Sequence, residues 1–277
     1  MSMATARALG FVRHYLLAIQ FFTRLPVTGP LAEWVGHNPA MLGASAAHLP
    51  GVGWLVGVTA CAVFALLSLL LPDTPLTPLA AAVGSTIATV LLTGGFHEGG
   101  LADMADRLGG SPDQPGALEI MEVKDSRLGT HGVLALNLAL MTKLALLAVL
   151  ASFSPPAVMA ALLGAHVLSR LWPLLLLRAL SQGGATGAKG KPLADRIEPW
   201  ALVIALGWCL VPLALVAFVQ GLSFLAWTVG MSAMATAALW HLIRRRLRGF
   251  TGDCMGATQQ VSEIAFYLGA AAALGGA

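Results

Sequence analysis

Between residues 94 and 132 the chain reads GGFHEGGLADMADRLGGSPDQPGALEIMEVKDSRLGTHG, and its chemistry is concentrated there. Asp103 and Asp106 stand three residues apart in LADMAD, so on a helix both carboxylates project from one face. Two carboxylates on one face, joined by a third from another segment, form a hard-oxygen set suited to Mg²⁺. Asp125 is the natural third ligand, and Lys124 and Arg127 flank it. Arginine offers a planar fork to phosphate oxygens, whereas lysine acts as a point charge. Carboxylates, a divalent ion and nearby cations could together neutralise a diphosphate and stabilise a phosphoryl-transfer transition state. His97 and His131 are candidate proton acceptors, although a histidine at the edge of an apolar segment is more often structural. Taken alone, D-x-x-D also fits a helical ion pair between Asp103 and Arg107.

The elements that must carry this island are apolar. Of 277 residues, 57% are hydrophobic and 10% charged, with a mean hydropathy of +0.79. Soluble domains carry roughly 25% charged residues, so the composition predicts an integral membrane protein. A crossing helix needs about 20 mostly apolar residues. Seven such stretches are expected, at 49–71, 78–96, 131–151, 157–178, 200–219, 222–243 and 257–275. The fold class is therefore all-α: about seven transmembrane helices in a single domain spanning 1–277. Arg13, Gln20 and Arg24 share one side of an added N-terminal amphipathic helix, suited to the membrane interface or the bundle surface. Arg13 also interrupts the first apolar stretch, which argues against a signal peptide.

Connections at 72–77, 152–156 and 220–221 contain no Lys or Arg. The N-terminal region and the loops 97–130, 179–199 and 244–256 hold nearly all the basic residues. The positive-inside rule then puts the N-terminus and these polar loops in the cytoplasm and the C-terminus outside. The net charge of +3 is accounted for by topology and gives no reason to expect nucleic acid. Cys61, Cys209 and Cys254 suggest no disulfide framework.

Other polar groups fall in awkward places. Lys143, Arg170 and Glu263 lie inside apolar spans, where ionisable groups usually face the protein interior, in ion pairs or in function. Asp253, between glycines in GFTGDCMGA, suits either a helix N-cap or an active-site ligand. HLIRRRLR before it reads as a membrane-boundary anchor. The stretch 182–196, QGGATGAKGKPLADR, fails the P-loop pattern because Pro192 stands where Ser or Thr is required, and it reads as a flexible loop.

These stretches together resemble the cobalamin synthase (adenosylcobinamide-GDP ribazoletransferase) family. The matching segments are FFTRLPV at 21–27, TGGFHEGGLADMAD at 93–106, KDSRLGTHG at 124–132, Ser169–Arg170, and TGDCMGA at 251–257 with Gln260 and Glu263. The resemblance implies transfer of α-ribazole, or its 5′-phosphate, to adenosylcobinamide-GDP, with GMP released and Mg²⁺ required. It implies His97, Asp103, Asp106 and Asp125 as catalytic residues, with Lys124, Arg127, Arg170, Arg24, Asp253 and Glu263 on the substrates. Where the family carries the first Asp of H-x-D-G-L-A-D-x-x-D, this chain has Gly99. Glu98 is adjacent, and it joins Asp103, Asp106 and Asp125 as a metal-ligand candidate if it reaches in from a non-helical turn. A bacterial inner-membrane location follows, with the lipid bilayer as partner and homo-oligomers or other cobalamin-assembly proteins left open. Two other readings compete: a transporter using Lys143, Arg170 and Glu263 as a relay, and a CDP-alcohol phosphotransferase, whose D-G-x-x-A-R motif is missing here.

Overall fold

The structure, a computed structural model, describes residues 3–36, 39–109, 128–182, 198–246 and 252–275. Lys124, Asp125 and Arg127 lie outside the described residues, as does most of the 182–196 stretch. Every regular element among the described residues is a helix. In chain order these are α1 (Met3–Phe22), α2 (Pro30–Val35), α3 (Pro39–Ala46), α4 (Leu49–Leu70), α5 (Thr77–Thr93) and α6 (Phe96–Gly109). They continue as α7 (Thr130–Phe153), α8 (Pro155–Leu168), α9 (Trp172–Gln182), α10 (Pro199–Gln220), α11 (Leu222–Arg246) and α12 (Gly252–Gly275).

Proline sets several of the starts. The first turns of α4, α5, α8 and α10 each contain at least one, where its missing N–H has no intrahelical partner to lose. Five segments are long and apolar enough to cross a bilayer: Leu49–Leu70, Thr130–Phe153, Pro155–Ala179, Pro199–Gln220 and Leu222–Arg246. A sixth arises if α5 and α6 count as one broken span. The chain is a multi-pass membrane protein.

Two expected spans differ from their sequence outline. The one placed at 78–96 ends at Thr93, because Gly94 and Gly95 take left-handed backbone angles (φ 74° and 70°). Glycine does this without the steric penalty of a side chain. The chain then turns by 89° into α6, so the connection expected over 97–130 opens as a helix. The stretch placed at 257–275 lies within the 24-residue α12, which is too polar to count as a span by hydropathy. Instead α12 sits inside the bundle, touching α6, α7, α8, α9 and α11 and buried along most of its length. The helices around it turn apolar residues outward: Leu138 and Met141 of α7 are 62% and 67% exposed. Small residues allow the central helix its close approaches, as membrane helices require. A Cβ added to Gly256 would lie 3.0 Å from the Cα of Gly100 on α6.

Candidate active site

Three of the sequence motifs meet at one end of the bundle. α6 and α12 run antiparallel through the Gly100–Gly256 crossing, which brings Arg107 to the first turn of α12. There its guanidinium pairs with Asp253 at 2.7 Å, both side chains about a quarter exposed. One residue earlier, Asp106 receives two backbone N–H bonds from the start of α7. Gly129 donates to Oδ2 at 2.8 Å and Gly132 to Oδ1 at 2.7 Å. Asp106 therefore caps α7, meeting the N–H donors that a helix start leaves unpaired. A Cβ on either glycine would collide with the Asp106 carboxylate, and one on Gly132 would also press on the Ala102 carbonyl oxygen at 2.8 Å. LADMAD, LGTHG and GDCMGA are thus bolted together by one carboxylate, one ion pair and one helix crossing.

Asp103 is exposed and lies on the same face of α6 as Asp106, three residues on. Gly99 is also on that face, and a Cβ there would meet nothing within 4 Å. The position where the resembled family carries aspartate is open surface. Glu98 points elsewhere: its Oε1 accepts a 3.1 Å bond from Gln260 Nε2 on α12. The expectation that Glu98 reaches the carboxylate face is corrected by this placement, since one helical step turns it about 100° inward. Among the described residues no group of three His, Cys, Asp or Glu is placed to hold a metal ion. Mg²⁺ needs only one or two protein carboxylates when substrate phosphates and water complete its shell, and Asp103 and Asp106 are the two carboxylates that α6 carries on this face.

A second polar cluster lies in the interior, built around Glu263. Glu263 is eleven residues past the start of α12, about 16 Å along it at 1.5 Å per residue. Lys143 Nζ of α7 approaches Glu263 Oε1 to 2.6 Å, with both side chains 3% exposed or less. Tyr267 donates its hydroxyl to the same oxygen at 3.1 Å, and Gln259 Nε2 donates to Oε2 at 2.6 Å. His166 Nδ1 is 3.4 Å from Oε2, and Arg170 donates to the His166 carbonyl at 2.6 Å. Gln259 also donates to Ser169 Oγ at 3.0 Å. His97, 3% exposed, lines the same cluster from the first turn of α6. The space left among these groups is about 10 Å³, room for about one water molecule.

The sequence candidates therefore divide. Asp103, Asp106 and Asp253 stand at the bundle end, whereas Arg170, Glu263, His97 and Glu98 belong to the interior cluster. His131 is exposed, with its ring against Gly109. Arg24 sits at the corner between α5 and α6: its N–H bonds to Leu92 O at 2.7 Å and its side chain covers Gly94. His166, Gln259 and Tyr267 were missed as site residues. A signal existed, because Gln259, Glu263 and Tyr267 recur every four residues and so share one face of a helix.

These features define a polytopic helical membrane protein with an acid- and base-lined face at one bundle end. Residues 14–271 match the family described as cobalamin-5-phosphate synthase. A protein of Polaromonas naphthalenivorans, named adenosylcobinamide-GDP ribazoletransferase, is 55% identical over 96% of this chain and 100% of its own length. The protein of the same name from Polaromonas sp. strain JS666 is 56% identical over 95% of this chain and 98% of its own. One from Shewanella piezotolerans is 37% identical over 92% and 93%. No solved structure matches the chain. The chain belongs to the cobalamin-5-phosphate synthase family. It is a transferase of cobalamin biosynthesis, working in final assembly.

Proposed function

We propose that the chain joins α-ribazole, or its 5′-phosphate, to adenosylcobinamide-GDP, yielding adenosylcobalamin or its 5′-phosphate and GMP. A ribose hydroxyl forms the new O–P bond at the phosphorus carrying the cobinamide linker. The P–O bond to GMP breaks, and the hydroxyl proton passes to a base on the enzyme. The observation that carries this reading is the convergence of 96–109, 129–132 and 252–256 around Asp106 and Arg107, with exposed Asp103 on the same face of α6.

Asp103 and Asp106 are the residues that would hold Mg²⁺, with Asp125 as the third ligand the sequence suggests. When bound, the ion would neutralise diphosphate charge, usually the largest contribution in phosphoryl transfer. His97 is buried in the interior cluster, so the better-placed proton acceptor is a carboxylate of this face that the ion does not engage. Arg107 holds α6 to α12 through Asp253, and Asp106 holds α7, so the carboxylate face is pre-positioned before substrate arrives. Lys124 and Arg127 would add cations to the phosphates. The face belongs at the cytoplasmic side of a bacterial inner membrane, because Arg107 and the Arg244–Arg246 run sit at this same end.

The transporter reading draws no support from the interior: about 10 Å³ among Lys143, Arg170 and Glu263 does not admit an organophosphate. The test is GMP release by detergent-solubilised protein supplied with adenosylcobinamide-GDP, α-ribazole and Mg²⁺. Asp103→Asn should abolish release while the variant still inserts and elutes as the wild type does. Near-normal turnover of that variant at saturating Mg²⁺ would overturn the assignment.

A further inference from the structure

The last turn of α11 carries three consecutive exposed arginines, Arg244, Arg245 and Arg246. One turn below, Trp240 is half-buried, and the Arg244 guanidinium lies over its ring, 5.5 Å from the centroid. That contact orients the guanidinium by cation–π attraction. Below Arg245 runs an outward strip. Trp227 lies eighteen residues earlier, five full turns at 3.6 residues each, so it points the same way. Met234 and His241 fall within about 40° of that line. Trp227 is 51% exposed and Met234 62% exposed. The rise from Trp227 to Arg245 is about 27 Å, close to the roughly 30 Å hydrocarbon thickness of a bilayer. Trp227 and Arg245 therefore mark the two interfaces of one membrane-facing strip, where tryptophan concentrates, while Arg244 and Trp240 stand about 100° and 140° around the helix from it.

We propose that Arg245, flanked by Arg246 and by Arg244 held on Trp240, forms a binding site for the headgroup of an anionic phospholipid whose chains lie along the Trp227–Met234 strip. The strip is what selects a lipid over a soluble phosphate: it supplies an apolar track ending under the guanidinium groups. The site also adjoins the catalytic end, since only residues 247–251 separate Arg246 from α12, whose first turn holds Asp253. The proposal does not depend on the transfer reaction.

Native mass spectrometry of the full-length protein, equilibrated with phosphatidylglycerol or phosphatidylcholine in detergent, tests it. The wild type should retain phosphatidylglycerol in clear preference, by about fivefold for each arginine engaged. R244Q/R245Q/R246Q should retain the two lipids equally, and R244K/R245K/R246K should keep most of the preference. Excess inorganic phosphate should leave the bound phosphatidylglycerol in place. No preference in the wild type, or full preference in the glutamine variant, overturns the proposal. Displacement by phosphate overturns it too, by showing a general anion site.

Discussion

The interior cluster and the bundle-end face use the same residue types and put them to different ends. Inside, Lys143 and Glu263 pair at 2.6 Å with side chains 3% and 1% exposed, and Tyr267, Gln259 and His166 surround the carboxylate. At the end, Arg107 and Asp253 pair at 2.7 Å with side chains 23% and 29% exposed. The distances are nearly equal, so geometry does not separate the two pairs. Burial does. A buried charge whose partner is removed costs about 3–5 kcal/mol, whereas pairs exposed to water contribute about 0–1 kcal/mol. Breaking the interior pair is therefore the costly change, whereas the pair at the bundle end can exchange partners at little cost.

Substitutions can break or sharpen this contrast. Glu263→Gln should have the largest effect, lowering stability by about 3–5 kcal/mol through an uncompensated Lys143, as read by thermal unfolding in detergent. Replacing both partners, Lys143→Met with Glu263→Leu, should recover much of that loss, and a double variant no better than the single one would remove the ion pair from the account. Gly132→Ala comes next, at about 1–3 kcal/mol, because its methyl group would meet the Asp106 carboxylate. Its turnover should fall more steeply than its melting temperature, since the displaced carboxylate is at the proposed site. Arg107→Gln should cost under about 1 kcal/mol, and the difference from wild type should shrink as salt is raised. Gly99→Asp should be the mildest, within about 0.5 kcal/mol in stability, because the position is open. Its value is as a probe of the face: a third carboxylate beside Asp103 should lower the Mg²⁺ concentration that gives half-maximal GMP release.

Much of this was legible in the sequence, because the relevant signals are local. Runs of apolar residues located the spans of α4, α7, α8–α9, α10 and α11, and the three-residue spacing of Asp103 and Asp106 put them on one face. Glu263 and Lys143 were recognisable as interior groups from their apolar neighbours. What the sequence hid depends on contacts between distant segments. Nothing near Glu98 announces that Gln260, 162 positions away, bonds it and draws it inward. Nor does LADMAD reveal that Asp106 will cap a helix beginning at Thr130. The Gly94–Gly95 pair looked compatible with a continuing span, since glycine is common in membrane helices; its left-handed turn became visible only in three dimensions. α12 misled for the opposite reason: its polarity fits a helix whose neighbours, not lipid, surround it.

That right-angled corner has a consequence for reach. Had the chain continued straight from Thr77 to Gly109, it would form a rod of about 50 Å at 1.5 Å per residue. Such a rod would overhang a hydrocarbon layer of about 30 Å by several turns. Its acidic tip would stand in open water, with no neighbouring backbone to grip. Folded at two glycines, the same residues turn aside through a right angle, and the tip arrives where the starts of two other helices can fasten it.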